Sequence, residues 1–241
     1  MTDKIFFRVD PHNVSNDRFT LSADESHHAE HVLRLKTGHK IWLIDGNGMS
    51  YTGEITSLNG SIKGKIYETF TSEGENSWYS HLAVAVLKKS RLELLIEKAT
   101  ELGVNKISII HMERCGKKVA QVSRLRKIII NAAKQCGRSV FPKIEEFSGL
   151  QDFLDINNEK IIAAHWKGTQ SISNFLSKEN ETPSCVVIGP EGDFSDGELD
   201  LLNQKIIPTV TLGSRRLRSE TAGMYVLSAI NEYHLNNSDN R

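Results

Sequence analysis

Three arginines stand close together near the carboxyl end of the chain, between a predicted strand and a predicted helix. They are Arg215, Arg216 and Arg218, within the segment Leu212–Ala222. The N-terminus of a helix already carries partial positive charge, so three guanidinium groups there are unfavourable unless an anionic or polar ligand compensates them. The alternative is a solvated basic loop capped by Ser219. We favour the ligand-binding interpretation.

A second candidate loop has the sequence Gly189-Pro190-Glu191-Gly192 and follows the apolar run Cys185–Ile188. In an open α/β sheet, ligands bind at the carboxyl ends of the strands, and glycines let the backbone approach them. An ordinary strand-to-helix turn is the alternative for these four residues alone. The chain contains neither GxGxxG nor GxxxxGK[ST], so a Rossmann dinucleotide site and a P-loop are not indicated.

The predicted helix Val122–Cys136 has a basic stripe. Its members follow at spacings of three and four and include no carboxylate: Arg124, Lys127, Asn131, Lys134 and Arg138. A solvated helix face usually mixes both signs of charge, whereas a stripe of one sign suits contacts to phosphates. Other basic residues add positive charge: Lys88, Lys89, Arg91, Arg114, Lys117 and Lys118. The pattern favours contact with RNA or DNA, although the chain as a whole has 30 basic and 30 acidic residues.

Several other chemistries find no support. His27 and His31 stand at i, i+4, but residue 28 is His rather than the Glu of HExxH, so no metal site is predicted. The three cysteines have no CxxC spacing and are interpreted as small core residues. No GxSxG sequence indicates an acyl-transfer nucleophile.

The pattern of predicted secondary structure changes about one third of the way along the 241 residues. Up to about residue 70, short strands dominate, with a hairpin turn at Asp45–Gly48 and one helix capped by Ser22. This pattern predicts a small β-barrel-like domain over 1–72. Beyond it, strand-like runs alternate with helices, and continuous apolar strands predict a parallel sheet covered on both faces. We therefore expect an α/β domain over 73–241.

The chain is expected to be cytoplasmic. No apolar run approaches the roughly 20 residues of a membrane-spanning helix. The sequence MTDKIFFRVD lacks the features of a signal peptide, and the cysteine pattern favours a reducing compartment.

Seven segments in order resemble the RsmE-type family of ribosomal RNA uridine-N3 methyltransferases, in the SPOUT superfamily. The segments are Phe6–Val9, His27–Arg34, Glu97–Val104, Glu113-Arg114, Ala133–Arg138, Ile188–Gly192 and Leu212–Ala222. One departure is Asp193, which stands where the family usually has a third small residue.

The resemblance implies a PUA-like RNA-binding barrel followed by an α/β domain with a deep trefoil knot. It also implies a homodimer, which agrees with the apolar last helix. The cofactor is S-adenosyl-L-methionine, held by the backbone of three loops. Mapped onto this chain, the cofactor-binding residues are His165, Gly189, Pro190, Glu191, Gly192, Leu212, Gly213, Leu217, Arg218, Thr221 and Ala222.

The implied reaction methylates N3 of a uridine in 16S ribosomal RNA of the small subunit. Uridine N3 must lose its proton, and the resulting charge spreads onto the carbonyl oxygens. We expect Arg218 to stabilise that charge, because arginine does not deprotonate and cannot be the base. Glu191 or Glu220 is the candidate proton acceptor; solvent, and helix capping for Glu220, are the alternatives.

Predicted RNA contacts come from basic and polar residues throughout the chain. They are Arg8, His28, Arg34, Lys88, Arg91, Arg114, Lys134, Gln135 and Arg138. Two other functions remain open at this point: a non-catalytic RNA-binding or ribosome-assembly factor on the same fold, and a SPOUT ribose 2′-O-methyltransferase.

Overall fold

A computed structural model describes residues 4–116, 120–178 and 183–238. Lys117 and Lys118 of the basic set lie outside the described residues. The strands are β1 Phe6–Arg8, β2 Val14–Ser15, β3 Arg18–Thr20, β4 Lys40–Ile44, β5 Met49–Ser57, β6 Lys63–Thr71, β7 His81–Ala85, β8 Lys106–Ile110, β9 Lys143–Phe147, β10 Ile161–Ala164, β11 Gln170–Ser171, β12 Cys185–Ile188 and β13 Thr209–Thr211. The α-helices are α1 Ala23–His27, α2 Lys89–Glu101, α3 Val122–Cys136, α4 Leu150–Ile156, α5 Ile172–Lys178, α6 Asp196–Gln204 and α7 Ser219–Ser238.

The chain divides into two compact units. The first runs through Asn76 and also includes Ile130–Phe141, and the second contains Ser77–Ile129 and Pro142 onward. The helix α3 therefore begins in the second unit and ends in the first. The domain limits 1–72 and 73–241 remain a prediction.

The first unit is built on a six-stranded sheet with the order β1-β4-β5-β6-β3-β2. The predicted hairpin is confirmed, because β4 and β5 pair antiparallel on either side of Asp45–Gly48. Inward-facing side chains of this sheet form one apolar cluster that includes Phe7, Phe19 and Leu43, each at most 1 % exposed. Burying each such side chain stabilises the fold by about 2 kcal/mol.

The helix that interrupts these strands is shorter than the pattern predicts. Ser22 accepts a hydrogen bond from the amide of Glu25, as expected of an N-cap, and α1 then gives way to a π-helical turn at His28–Val32. The apolar residues that follow at helical spacing do not share one buried face, since Ala29 is buried while Val32 is 61 % exposed.

The second unit contains a seven-stranded, all-parallel sheet with the order β11-β13-β10-β12-β7-β8-β9. Its central strands β7 and β12 are buried along their whole length, as a sheet covered on both faces requires. Two further elements, β11 and α5, follow β10 and were not predicted from the sequence. Three adjacent strands, β13, β10 and β12, bring their carboxyl ends together at one edge.

The basic stripe of α3 is paired with carboxylates from distant parts of the chain. In the second unit, Arg124 donates to Glu93. In the first unit, Lys134 lies 2.7 Å from Glu25 Oε1. The basic stripe predicted from the sequence is therefore not available along its whole length to bind another molecule.

No helix among the described residues is long and apolar enough to cross a lipid bilayer.

Candidate functional site

An open cavity of about 520 Å³ lies at the carboxyl ends of β10, β12 and β13. It is lined by Ala164, His165, Trp166, Ile188, Gly189, Pro190, Glu191, Asp193, Thr211, Leu212, Gly213, Arg215, Arg216, Leu217, Ser219 and Ala222. Its wall combines residues of three loops, among them glycines, apolar residues and charged residues, a composition that fits a ligand with both polar and apolar parts.

Hydrogen bonds between the loops hold this cavity in shape. The Ser219 hydroxyl donates to the Gly189 carbonyl at 2.8 Å, so the start of α7 is tied to the loop after β12. The His165 amide donates to the Val210 carbonyl at 2.9 Å, which fixes the loop after β10 against β13. The same loop approaches β13 closely at Gly168. Only glycine fits there, because a Cβ at this position would lie 2.2 Å from the backbone of Val210.

A second cavity adjoins the first. It is lined by Arg91, Glu191, Arg216, Leu217 and Arg218. Three residues line both cavities: Glu191, Arg216 and Leu217. A group bound in one cavity would therefore lie beside a group bound in the other, with Glu191 between them.

Arg91 links the two candidate catalytic carboxylates. Its guanidinium donates to Glu191 Oε1 at 2.5 Å, and its Nε lies 3.6 Å from Glu220 Oε1. Glu220 is 6 % exposed at the start of α7. Among the described residues, its second oxygen, Oε2, has no hydrogen-bond partner. Such an orphaned acceptor is costly in a protein interior and is the kind of group that a ligand satisfies.

Most of the predicted cofactor-binding residues come together. Eight of them line the first cavity: His165, Gly189, Pro190, Glu191, Leu212, Gly213, Leu217 and Ala222. Arg218 lines the second cavity instead, and Gly192 and Thr221 line neither. Asp193 also lines the first cavity. It is not among the residues predicted to bind the cofactor, although its departure from the family pattern pointed to it.

The residues predicted to contact RNA have varied surroundings. Arg8, Arg34, Lys88 and Gln135 are exposed, and the ring of His28 packs edge-on against Phe7. The remaining members of the set are engaged by other groups of the protein. Arg91 lies in the second cavity, and Arg114 donates to the carbonyls of Gly192 and Phe194 at 3.0 and 2.8 Å.

Arg138 is the most deeply buried of this set. It is 2 % exposed, and its Nη2 lies 2.6 Å from Glu75 Oε2 within the first unit. A buried guanidinium bonded to a carboxylate has little capacity left for a phosphate, so the geometry supports a structural role for Arg138. The sequence pattern could not indicate this, because Glu75 lies 63 residues away.

A separate titratable cluster, His81, Glu159 and Cys185, lies at the amino ends of the central strands. Its ligating atoms all lie within 4.8 Å of one another, a grouping that sequence spacing did not predict. His81 Nδ1 is 2.7 Å from Glu159 Oε2, and His81 Nε2 is 2.8 Å from Ser108 Oγ. Burial lowers the pKa of His81 and raises that of the Cys185 thiol. Both ring nitrogens of His81 have protein partners, and the cluster is separate from the cavities described above.

Two family models match the chain. One describes an RNA methyltransferase domain and matches residues 75–231, more than half of the chain. The other describes an RNA methyltransferase PUA domain and matches residues 21–66. The parallel sheet of the second unit and the small sheet of the first are thus the SPOUT-type and PUA-like folds that the resemblance predicted.

Individual proteins agree with the family models. Ribosomal RNA small subunit methyltransferase E of Rickettsia conorii is 31% identical, covering 90% of this chain and 91% of that protein. The protein of the same name from Bacillus subtilis is 29% identical, covering 88% and 89%. The crystal structure of ribosomal RNA small subunit methyltransferase E from Neisseria gonorrhoeae, bound to S-adenosyl methionine, has a TM-score of 0.85 at 25% identity and covers 95% of this chain and 97% of that one. The chain therefore belongs to the family of RNA methyltransferases that includes these ribosomal RNA small subunit methyltransferases E.

Proposed function

We propose that the protein transfers a methyl group from S-adenosyl-L-methionine to N3 of a uridine in 16S ribosomal RNA of the small subunit. The observation that carries this proposal is the pair of adjoining cavities that share Glu191. One cavity is lined by loops at the carboxyl ends of three parallel strands, where ligands of α/β proteins bind, and the other presents Arg218 and Arg91. Ribosomal RNA is the substrate class named for the relatives, and we place the activity in the cytoplasm, where that RNA lies.

The residues present fit the cofactor. Gly189, Leu212, Gly213 and the small residue Ala222 all line the first cavity. S-adenosyl-L-methionine, when bound, supplies an electrophilic methyl group on a positively charged sulfonium. The three loops of the first cavity would hold it, and the carboxylates of Glu191 and Asp193 would complement its charge.

The second cavity suits a pyrimidine that has left its stack. The N3 edge of uridine is its Watson–Crick face, so the base must be extruded before it can react. We assign proton acceptance to Glu191, because this carboxylate lines both cavities and is 26 % exposed. The N3 proton passes to a Glu191 oxygen, and the negative charge left on the base spreads to its carbonyl oxygens.

Arginine side chains stabilise that charge. Arg218 lines the second cavity and is exposed to it, so its guanidinium can donate to a pyrimidine carbonyl as negative charge develops. Glu220 lies 3.6 Å from Arg91 Nε while Arg91 Nη1 binds Glu191, so we assign Glu220 the role of a positioning residue.

Methyl transfer to unmodified small ribosomal subunits tests the function directly. The protein is incubated with labelled S-adenosyl-L-methionine and subunits, and the nucleosides are separated by mass spectrometry. We expect 3-methyluridine. Label in 2′-O-methylated nucleosides would favour the ribose methyltransferase, and binding of RNA without label would favour the assembly factor.

Two variants test the assigned roles. Arg218→Ala and Glu191→Gln are each expected to lower the turnover number by about 10²-fold or more, with the cofactor dissociation constant measured in parallel. Arg126→Ala is the matched control, because Arg126 is exposed on α3 and lines neither cavity. Full turnover in both test variants would show that these roles are wrong.

RNA binding is assigned to exposed basic residues that form no ion pair within the described part of the chain. Arg34 in the first unit and Lys88 in the second are exposed. Removal of one phosphate interaction should lower the slope of log affinity against log salt by about 0.7–0.9. Arg34→Ala is expected to show this change, whereas Lys4→Ala should not, because Lys4 is an exposed residue of the first unit that is paired with Glu73.

A homodimer is the second part of the proposal. The last helix, α7, carries Tyr225 at 45 % exposure and Leu235 at 57 % exposure, and such large exposed apolar side chains suit an interface between subunits. Analytical ultracentrifugation should give twice the chain mass for the native protein. Tyr225→Asp should shift the equilibrium toward the monomer; a native protein that sediments as a monomer would contradict this part of the proposal.

A further inference from the structure

Asp193 has an unusual backbone conformation at the wall of the first cavity. Its φ is +65°, in the left-handed region that favours glycine, and its amide donates to the Pro190 carbonyl at 2.9 Å. Its own carboxylate accepts a hydrogen bond from the Phe194 amide at 2.9 Å. Backbone strain at a non-glycine residue tends to persist where the residue has a function. We therefore ask what the Asp193 carboxylate does in this cavity.

The charges around the cavity distinguish Asp193 from its neighbour Glu191. Two carboxylates belong to the described lining residues, and that of Glu191 is bound by the Arg91 guanidinium. Within the described part of the chain, Asp193 lies beside the His165 ring, with Nε2 at 3.4 Å from Oδ2. The side chains are only 18 % and 12 % exposed, so solvent screens the Asp193 charge incompletely. Asp193 thus contributes negative charge to a partly enclosed cavity and, among the described residues, forms no ion pair with an arginine, although Arg215 and Arg216 line the same cavity.

We propose that Asp193 makes this cavity discriminate between the cofactor and its product by charge. S-adenosyl-L-methionine carries a sulfonium, whereas S-adenosyl-L-homocysteine, which remains after methyl transfer, has a neutral thioether. The two molecules otherwise share the same adenosine, amino and carboxylate groups. A carboxylate that is not paired with an arginine therefore attracts the substrate form more than the product form, and product leaves more readily. This inference rests on the proposed function, because it takes the first cavity as the cofactor site.

Calorimetric titration of both ligands into the native protein and Asp193→Asn tests the inference. Asparagine has the same size, tolerates the left-handed conformation and keeps an oxygen for the Phe194 amide, so the substitution removes little besides the charge. We expect the preference for S-adenosyl-L-methionine over S-adenosyl-L-homocysteine to fall about fivefold, the effect of one weakly screened charge. The loss should arise from weaker binding of the cofactor, with the product affinity nearly unchanged.

Asp196→Asn provides the matched control. It is the same substitution three residues along the chain, at an exposed position that does not line the cavity. The ratio of the two affinities should stay at the native value. A fivefold change in this variant would mean that the net charge of the protein, rather than Asp193, sets the preference.

Other outcomes overturn the inference in distinguishable ways. Equal weakening of both ligands by Asp193→Asn would mean that the carboxylate contacts a group they share. No change in either affinity would leave Asp193 with a structural role only. If the native protein binds neither ligand, the proposed function fails rather than this inference alone.

Discussion

The guanidinium of Arg91 donates to Glu191 at the point where the two cavities meet. The sequence predicts Arg91 as an RNA contact, but this geometry favours a positioning role for it. Arg91→Ala should release the Glu191 carboxylate, and misplacement of a reacting group by about 1 Å can lower the rate about 10²-fold. Steady-state kinetics should show a lower turnover number with little change in the KM for RNA.

Two further measurements distinguish a positioning role of Arg91 from an RNA contact: the rate of Arg91→Lys and the salt dependence of RNA binding. Lysine keeps the charge but lacks the planar fork, so it should restore only part of the rate. Lys89→Ala, on the exposed start of the same helix, is the control. A salt slope that falls by about one unit in Arg91→Ala would instead support the predicted RNA contact.

Long or strongly apolar patterns predicted the fold well. The bounds of β12 and α3 agree with the prediction, because β12 is a continuous apolar run and α3 has a clear helical period. Two-residue strands such as β2 and β11 carry no period at all, and tertiary pairing defines them. The knot came only from the family resemblance, since periodicity says nothing about how strands are threaded.

The buried pair formed by Arg138 and Glu75 gives a prediction about stability. Removing one partner leaves a buried charge without compensation, which costs about 3–5 kcal/mol. Arg138→Ala should therefore lower the free energy of unfolding by this amount in urea denaturation. Arg18→Ala, at an exposed site of the same unit, should change it by less than about 0.5 kcal/mol.

The double variant separates the charge from the packing of Arg138. Glu75→Gln in the Arg138→Ala background removes the uncompensated carboxylate while keeping an oxygen for the Val140 amide, which donates to Glu75 at 3.0 Å. This variant should be more stable than Arg138→Ala alone. Equal stability of the two variants would mean that poorer packing, rather than an unpaired charge, explains the effect.

The candidate site was predictable only in part. Loops that follow strands indicate where a ligand binds, and the Gly189–Gly192 and Leu212–Ala222 segments do line the first cavity. Which charges neutralise one another depends on contacts between distant residues. Lys134 and Glu25, for example, are 109 residues apart. A local pattern therefore overestimates how much basic surface is free for RNA.

His81 predicts a pH dependence of stability. Burial lowers its pKa below the ordinary value of 6.5, and the neighbouring Glu159 opposes that shift only in part. Between the folded and unfolded pKa values the unfolded chain binds more protons, so this contribution is fully present above about pH 6.5 and is lost as the pH falls below it. Urea denaturation should show a lower free energy of unfolding at about pH 5.5 than at about pH 7.5.

His81→Gln should reduce the slope of stability against pH in this window, whatever its effect on absolute stability. His234→Gln is the comparison, because burial also lowers the pKa of His234, which is only half-buried on α7. Its effect on the slope should be smaller. Parallel curves for the native protein and His81→Gln would exclude His81 as the titrating group.

The free-energy cost of the left-handed backbone conformation at position 193 can be measured separately from the effect of the Asp193 charge. Asp193→Ala and Asp193→Gly both remove the carboxylate and its bond to the Phe194 amide, and they differ only in Cβ. At φ +65° a Cβ is unfavourable by about 1 kcal/mol, so the glycine variant should have the higher free energy of unfolding by about that amount. Urea denaturation of the two variants under identical conditions measures the difference. If alanine were equally stable, position 193 would have to leave the left-handed region in solution, and the carboxylate would no longer be held at the cavity wall.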